Sequence, residues 1–382
     1  MSKKRILLLP TGSRTLQVEL IYRHTAMENN VFVPRQGTIL PNVKKKLDWS
    51  GISVWPTLLS SSPETDELNI DGPARDYRVK HGEDSFVSRQ RAQFGTHRPE
   101  MKVTIVDATE IINMEFDLCH VFRGTGKGTS IDMARRHIFD KGNVRRWITS
   151  EMRPYKYADL GSDIHDDCLI TQPSPDDIGA KFKRRWNLFP SRAQLVALNL
   201  PDDVLRASQR TGLAGFNHNY QRRYPKESKM FHNAASMLKQ QKLGKLVNYG
   251  ANKPGVGSDI RTSRPNEGKP TISCREALDM KRSLRCVVHL KGGDVGGGVV
   301  WYTMLVGTPM IVLRHYYKFT GMYRYFEDGK HCIVIDDAAG VVKAARELNN
   351  DAVLDTFIGN IIDLRDRLCG AGDLERFVDG CV

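Results

Sequence analysis

The stretch Arg285-Cys286-Val287-Val288-His289-Leu290-Lys291, Gly292-Gly293-Asp294-Val295-Gly296-Gly297-Gly298, Val299-Val300-Trp301-Tyr302-Thr303-Met304-Leu305-Val306, Gly307-Thr308-Pro309, Met310-Ile311-Val312-Leu313 decides the fold. Its first apolar run reads as a buried strand. Five glycines in seven residues follow. The next apolar segment has no Gly or Pro and is long enough for about two helical turns. Gly-Thr-Pro stops it, and a second buried strand begins. The pattern is a strand–loop–helix–strand unit of an α/β sheet. The glycines lie where the helix starts. A helix N-terminus has free N–H groups and partial positive charge, which suit a phosphate. Glycines allow close backbone approach. A tight turn without a ligand is the alternative.

Working outward, the same alternation recurs. Ile6 to Pro10 reads as a strand that opens into Thr11-Gly12-Ser13-Arg14, and a helical pattern covers about 15–28. A strand, a Gly loop and a helix in that order begin a Rossmann-like domain. Further strands are expected at 51–55, 102–106, 116–122 and 145–150, with a helix over 130–139. Pro-rich and polar residues within 170–205 mark a boundary. Beyond it come a strand at 213–216, a helix from Glu227 to about Lys239, a strand at 246–250 and a Gly/Pro-rich loop at 251–272. A helix at 274–284 leads into the opening stretch. The Asp328-Gly329 turn, a strand at 332–335, a helix capped by Asp336-Asp337 and a last helix over 352–368 complete the chain. The expected fold is α/β. Its domains are a first Rossmann-like domain at 1–195, a second at 205–350, and a C-terminal helix within 351–382 that packs back across them.

Composition narrows the class. The 382 residues are 40% hydrophobic and 26% charged, enough for full cores without staples. Seven scattered cysteines with no C-x-x-C pair argue for a reducing compartment and against a zinc site. No apolar run reaches the ~20 residues of a membrane span. The chain is therefore expected to be cytoplasmic, without a membrane partner, and a monomer. The net charge of +13 favours an anionic partner. Within the polar section 57–101, Arg75, Arg78, Lys80, Arg89, Arg91 and Arg98 are interleaved with Tyr77, Phe86 and Phe94. Lys183, Arg184 and Arg185 precede Trp186. Charges for phosphates beside rings for bases suit nucleic acid, and a solvated loop with a few anchoring rings is the bland alternative.

Three further motifs bear on chemistry. Arg123-Gly124-Thr125-Gly126-Lys127-Gly128-Thr129 is like a P-loop, but Gly128 stands where Ser or Thr is required, so a nucleotide triphosphatase is not expected. Glu151 follows the strand at 145–150, where residues past strand ends line the ligand crevice of an open α/β sheet. A surface carboxylate paired with Arg153 or Lys156 is its other reading. Asn217 to Lys226 form a polar, basic loop. No D-x-D triplet occurs, and Asp163, Asp166 and Asp167 read as a solvated acidic loop.

The second half resembles the donor domain of GT-B glycosyltransferases. The Gly loop before a helix, the helix ending at Gly307-Thr308-Pro309 and the Asp328-Gly329 turn carry this likeness. A narrower resemblance is to bacteriophage DNA β-glucosyltransferases. It rests on Glu227-Ser228-Lys229-Met230, on Trp301 with Thr303-Met304, and on Ile148-Thr149-Ser150-Glu151-Met152-Arg153-Pro154-Tyr155. It implies a GT-B fold with two Rossmann-like domains facing a cleft. It implies an inverting transfer of a sugar, glucose first, from a UDP-sugar to a hydroxymethylated pyrimidine of double-stranded DNA, with base flipping. Glu151 falls where that family keeps an Asp as general base. Arg222, Arg223 and Lys226 fall beside the donor diphosphate, although solvation or nucleic-acid phosphate would also suit them. Gly12, Gly250, Asp294, Gly296, Gly297, Gly298 and Tyr302 complete the expected donor-binding set. Tyr302 and Val299 depart from the family, which has a ribose-binding Glu and an Arg there. A divalent ion, Mg2+ or Mn2+, could assist UDP release without a dedicated cage. Two other functions fit the residues: a GT-B transferase acting on a lipid-linked or cell-surface glycan, and a non-enzymatic DNA-binding protein on a degenerate Rossmann scaffold.

Overall fold

The computed structural model describes residues 3–9, 20, 23–24, 27–34, 104–106, 108–111, 113–123, 144–151, 167–170, 184–187, 189, 195, 200–216, 225–250, 260–261, 274–290, 299–369, 374 and 378. Strands β1 (Arg5–Leu9), β2 (Asn30–Pro34), β3 (Thr104–Val106), β4 (Phe116–Arg123), β5 (Val144–Glu151), β6 (Asp167–Ile170) and β7 (Arg184–Asn187) form one sheet, in the order β3-β2-β1-β4-β5-β6-β7. Every pairing in it is parallel. A short helix, α1 (Ala108–Ile111), follows β3. The central strands supply Ile6, Leu7, Leu8, Leu118, Cys119 and Ile148, all fully buried. Such continuous apolar runs belong to a sheet covered on both faces.

The second sheet is built from β8 (Leu213–Phe216), β9 (Leu246–Gly250), β10 (Ile260–Arg261), β11 (Cys286–His289), β12 (Met310–Leu313) and β13 (Cys332–Ile335). Its order, β10-β9-β8-β11-β12-β13, repeats the first six positions of the other sheet, again all parallel. In each sheet the order reverses once, beside the first strand. This is the doubly wound Rossmann arrangement, whose ligand crevice opens at the carboxyl ends next to the reversal.

Local sequence explains the second body's helices. Helix α2 (Pro225–Gln240) starts with Pro225, whose missing N–H costs nothing in a first turn. It buries Phe231, Ala234 and Leu238, spaced three and four apart on one face. A Cβ on Gly215 of β8 would collide with the Phe231 ring and the Val288 carbonyl, so glycine there lets α2 lie close on the sheet. Helices α3 (Cys274–Ser283), α4 (Val299–Leu305), α5 (Arg314–Phe319), α6 (Ala338–Leu348) and α7 (Asp351–Cys369) follow. The α4 turn ends in a Schellman motif. Gly307 donates to the Met304 carbonyl at 2.9 Å and Thr308 to that of Thr303 at 3.1 Å, with Gly307 left-handed at φ 69°. Asp337 caps α6 by accepting from the Gly340 N–H at 2.8 Å. Leu354, Phe357, Ile361 and Leu364 of α7 join the second body's core.

The amino ends of β8, β11 and β12 are tied by one buried guanidinium. Arg210 is 2% exposed. It donates to the carbonyls of Leu205 (2.8 Å), Leu284 (3.1 Å) and Gly307 (3.0 Å), and to Thr308 Oγ1 (2.7 Å). Burial, with the charges of Arg282 and Arg285 nearby, lowers its pKa to about 10, which leaves it charged at neutral pH. Arg285 donates to the Leu348 carbonyl from Nε at 3.0 Å and to Asp351 Oδ1 from Nη2 at 2.7 Å, joining α6 and α7 to the foot of β11.

Several elements differ from the sequence reading. β2, β6, β7, β10 and α5 were not expected. Asp167 opens β6 and does not sit in an acidic loop. The basic run at Arg184-Arg185-Trp186 is an edge strand, which needs only one neighbour and tolerates polar residues. The strands expected at 51–55 and the helix at 130–139 lie outside the described residues.

Candidate functional site

Two carboxyl edges define the candidate site. In the first sheet the order reverses between β1 and β4, whose Leu9 and Val121 are register partners. Next to β4, Glu151 is the last residue of β5 and not the first residue past it. Its register partners are Arg123 at the end of β4 and Ile170 at the end of β6. Glu151 therefore sits at a strand terminus flanked by two paired strands. Ladder hydrogen bonds hold its backbone more firmly than a loop would.

In the second sheet the reversal lies between β8 and β11. Residues 217–224 link β8 to α2, and 291–298 link β11 to α4. Arg222, Arg223, Asp294, Gly296, Gly297 and Gly298 belong to these links and lie outside the described residues. So do Gly12, Arg75, Arg78, Lys80, Arg89, Arg91, Arg98 and Lys183. Lys226 was expected in the basic loop. It is an exposed residue in the first turn of α2, because Pro225 starts the helix. Gly250 ends β9, paired in register with Arg261. Tyr302 is half-buried on α4. Arg184 and Arg185 lie on β7, opposite Asp167 and Cys168 in register.

His289 is the last residue of β11, only 2% exposed, with its ring edge-on to Tyr316 at 4.7 Å. Trp301, Thr303 and Met304 carried the narrower resemblance. All three are buried core positions. Thr303 Oγ1 donates to the Val299 carbonyl at 2.6 Å within α4. These side chains shape the helix and the core, so their identity speaks to packing more than to substrate.

Trp301 also receives a residue from the first sheet's side. Phe189, two residues past β7, sets its ring edge-on to Trp301 at 4.9 Å and to Tyr325 at 5.6 Å. The Phe189 carbonyl accepts from Arg23 Nη1 at 3.2 Å. One residue thus touches both bodies, and nothing in its sequence context singled it out.

Beyond β12 and β13 the edge is polar. Arg314 Nε donates to both carboxylate oxygens of Asp336, at 2.8 and 3.1 Å, which raises the Arg314 pKa. The Asp328 carboxylate accepts from the Val334 N–H at 2.8 Å, and His331 Nδ1 accepts from the Glu327 N–H at 3.0 Å. Burial lowers the His331 pKa, consistent with a neutral acceptor ring. These contacts fix the Asp328-Gly329 turn. Among the described residues no group of three His, Cys, Asp or Glu could hold a metal ion. Among them, too, no helix is long and apolar enough to cross a membrane.

No protein-family model matches this sequence, and no curated protein sequence does. Solved structures do resemble it along its whole length. An Anabaena protein, Alr3699/HepE, solved in complex with UDP-glucose, shares 9% identity at a TM-score of 0.51, with 99% of each chain covered. A trehalose-6-phosphate synthase shares 11% identity at a TM-score of 0.50, again with 99% of each chain covered. An E. coli structure, described as trehalose-6-phosphate bound with UDP-2-fluoro glucose, shares 11% identity at 0.50, covering 99% of this chain and 98% of that one. At such identities the likeness is one of fold. Two parallel sheets of matching strand order, and full-length likeness to these structures, make the chain an α/β protein of the GT-B type.

Proposed function

We propose that this protein is a glycosyltransferase that moves a sugar from a UDP-sugar donor to the hydroxyl of a hydroxymethylated pyrimidine in double-stranded DNA. The observation that carries the reading is that each sheet offers a carboxyl edge at its reversal: Glu151 ends β5, one strand from the reversal of the first sheet, and the links after β8 and β11 flank the reversal of the second. Support for a UDP-sugar donor comes from two solved structures of this fold, one holding UDP-glucose and one UDP-2-fluoro glucose. The DNA acceptor rests on the net charge of +13 and on the short sequence likenesses around Glu151 and Glu227.

In this reaction Glu151 takes the proton of the acceptor hydroxyl as its oxygen attacks the anomeric carbon. The bond from that carbon to the diphosphate breaks, and UDP leaves with the electron pair. Arg222, Arg223 and Lys226, with the amides of Gly296 to Gly298, offset the charge that develops on the diphosphate. Tyr302 and Asp294 flank the donor, and Gly12 and Gly250 belong to the same crevices. Arg75, Arg78, Lys80, Arg89, Arg91, Arg98, Lys183, Arg184 and Arg185 hold the duplex backbone. A divalent ion is an optional aid to product release.

The test incubates the protein with UDP-glucose and other UDP-sugars on hydroxymethylated and unmodified duplexes, followed by nucleoside mass spectrometry. A hexose on the hydroxymethylated nucleoside alone is the expected outcome. No sugar from any donor would remove the DNA acceptor from the reading. Glu151→Gln should lower kcat by about 10²–10⁴-fold while leaving UDP affinity intact. Retained turnover would exclude Glu151 as the base.

A further inference from the structure

Phe189 does more than touch both bodies. We infer that it is a positioning residue: its ring, seated against Trp301, sets the carboxyl edge that carries Glu151 at a fixed separation from the link that opens α4. The inference rests on the glycosyl-transfer reading and deepens it, and it is independent of which hydroxyl accepts the sugar.

The first body's share of this contact is set by strand register. Glu151, Ile170 and Asn187, the last residues of β5, β6 and β7, are partners in one row. Neighbouring strands lie about 4.8 Å apart, so the backbones of Glu151 and Asn187 are roughly 10 Å apart. Phe189 comes two residues after Asn187, on the same carboxyl edge. Its backbone is held from inside the first body. The Phe189 carbonyl accepts from Nη1 of Arg23, a buried residue between β1 and β2. The Phe189 ring therefore moves with the edge that ends in Glu151.

The second body supplies a socket of rings. Phe189 meets Trp301 with planes 84° apart and Tyr325 with planes 74° apart. Behind them, Trp301 stacks on the fully buried Phe326 at 5.7 Å and meets Tyr325 edge-on at 5.3 Å. Edge-on aromatic contacts have preferred directions, so such a socket fixes an orientation as well as a distance. Among the described residues no acceptor meets the buried Trp301 Nε1–H. A phenylalanine would fill a core position without that unpaired donor. The indole is accounted for by its width, which reaches Phe189, Tyr325 and Phe326 at once. Trp301 is also the third residue of α4, the helix that begins where the 291–298 link ends. A shift of Trp301 is a shift of that link's end.

The contact is thus a spacer between the base in one body and the donor in the other. Attack requires reacting atoms about 3–3.5 Å apart, and a displacement of about 1 Å can cost on the order of 10²-fold in rate. A residue that merely filled space between the bodies would change stability and leave the rate of the folded protein alone.

The experiment compares the full-length wild type with Phe189→Ala, Phe189→Leu and Phe189→Tyr, each at a temperature where it is folded. Steady-state transfer from UDP-glucose to hydroxymethylated duplex DNA is measured first, then amide hydrogen exchange without ligand. Phe189→Ala should lower kcat by about 10–100-fold, with the KM for UDP-glucose and the affinity for UDP within about two-fold of wild type. Phe189→Tyr keeps the ring and should restore most of kcat. Phe189→Leu fills the space without a ring and should restore stability but not kcat. In the exchange measurement, Phe189→Ala should speed the amides of Glu151, Ile170 and Asn187 together with those of α4 by about 3–10-fold, with β8 and β9 unchanged. An unchanged kcat in folded Phe189→Ala overturns the inference, as does a kcat that Phe189→Leu restores as fully as Phe189→Tyr. A raised KM for UDP-glucose at full kcat overturns it in favour of a donor contact. If the wild type transfers no sugar, the transfer reading fails and exchange decides: joint loosening of the two edges supports the spacer, and loosening confined to one body overturns it. Should Phe189→Ala not fold, the Leu and Tyr variants carry the same comparison.

Discussion

The two sheets run through the same strand order, yet different chemistry holds them. The first is centred on aliphatic strands with a histidine in the middle. His120 of β4 is fully buried, its ring 6.3 Å from that of His24. At its amino edge, Arg5 lays its guanidinium over Phe32 and Phe116, and the Asp117 carboxylate accepts from the Arg5 N–H at 2.8 Å. The second sheet is pinned by buried arginines. Arg210 joins three strand feet, the half-buried Arg285 joins α6 and α7 to the foot of β11, and Arg365 on α7 reaches the Asp202 carbonyl at 3.3 Å. A guanidinium has five donors in a fixed plane and holds its charge, so it can satisfy several carbonyls at once. A buried imidazole has a single donor when neutral and pays to ionise. One topology can therefore rest on pH-independent or pH-sensitive supports.

The sharpest way to break this comparison is Arg210→Ala. It would leave the Leu284 and Gly307 carbonyls and the Thr308 hydroxyl short of a donor in the interior. The expected loss is about 3–5 kcal/mol, measured by urea unfolding. A loss under about 1 kcal/mol would show that the strand feet do not depend on it. Gly307→Ala comes next. A side chain there must adopt a left-handed backbone and would collide with Val204. About 2–4 kcal/mol of destabilisation is expected from the sum of both costs. The adjacent Schellman contacts make α4 the first helix to gain hydrogen-exchange rate.

Phe189→Ala tests the contact between the bodies. Its edge-on contacts to Trp301 and Tyr325 and its partial burial suggest a loss of about 1–2 kcal/mol. The transition should also broaden or split as the bodies unfold less cooperatively. A sharp, unshifted transition would mean that Phe189 does not couple them. The smallest effect is acid. Burial, then the nearby His24, holds the His120 pKa well below its ordinary 6.5. A base with a depressed folded pKa contributes stability above its unfolded value, and that stability is lost as pH falls from 6.5 toward the folded pKa. One unit below 6.5 the cost is about 1.4 kcal/mol. His331 adds to the second sheet's acid response, but its pKa is lowered less. Amides of β4 should therefore gain exchange rate before those of β13 as pH drops through 6. The reverse order would contradict the contrast drawn here.

Much of the second body was legible because its signals are local. The apolar runs at 286–289 and 310–313, the Gly-Thr-Pro stop and the Asp337 cap each depend on neighbours in sequence. β6 and β7 were hidden because their residues, Asp-Cys-Leu-Ile and Arg-Arg-Trp-Asn, carry the polarity of a sheet's outer strands. No apolar period marks such a strand, and pairing with β5 is a long-range fact. α5 was missed because Arg-His-Tyr-Tyr-Lys-Phe has a single inward residue of note, Tyr316, whose burial depends on His289. Lys226 was put in a loop because Pro225 was taken as part of that loop, when it is the helix's start. Of the candidate site, the strand terminus at Glu151 was readable to within one residue, since the apolar-to-polar change marks it. The role of the buried Trp301, Thr303 and Met304 was not, because a core residue and a ligand-facing residue look alike without a third dimension.

Arg210 and its partners lie wholly at the amino ends of β8, β11 and β12, the far side of the sheet from the candidate crevice. In a saturation mutational scan the two edges should leave opposite scars. Substitutions around 205–212, 284–285 and 307–309 should deplete soluble protein. Those in the links after β8 and β11 should leave soluble protein that no longer turns over. A lineage carrying this scaffold could thus rewrite what it binds while the residues that keep it folded stay as they are.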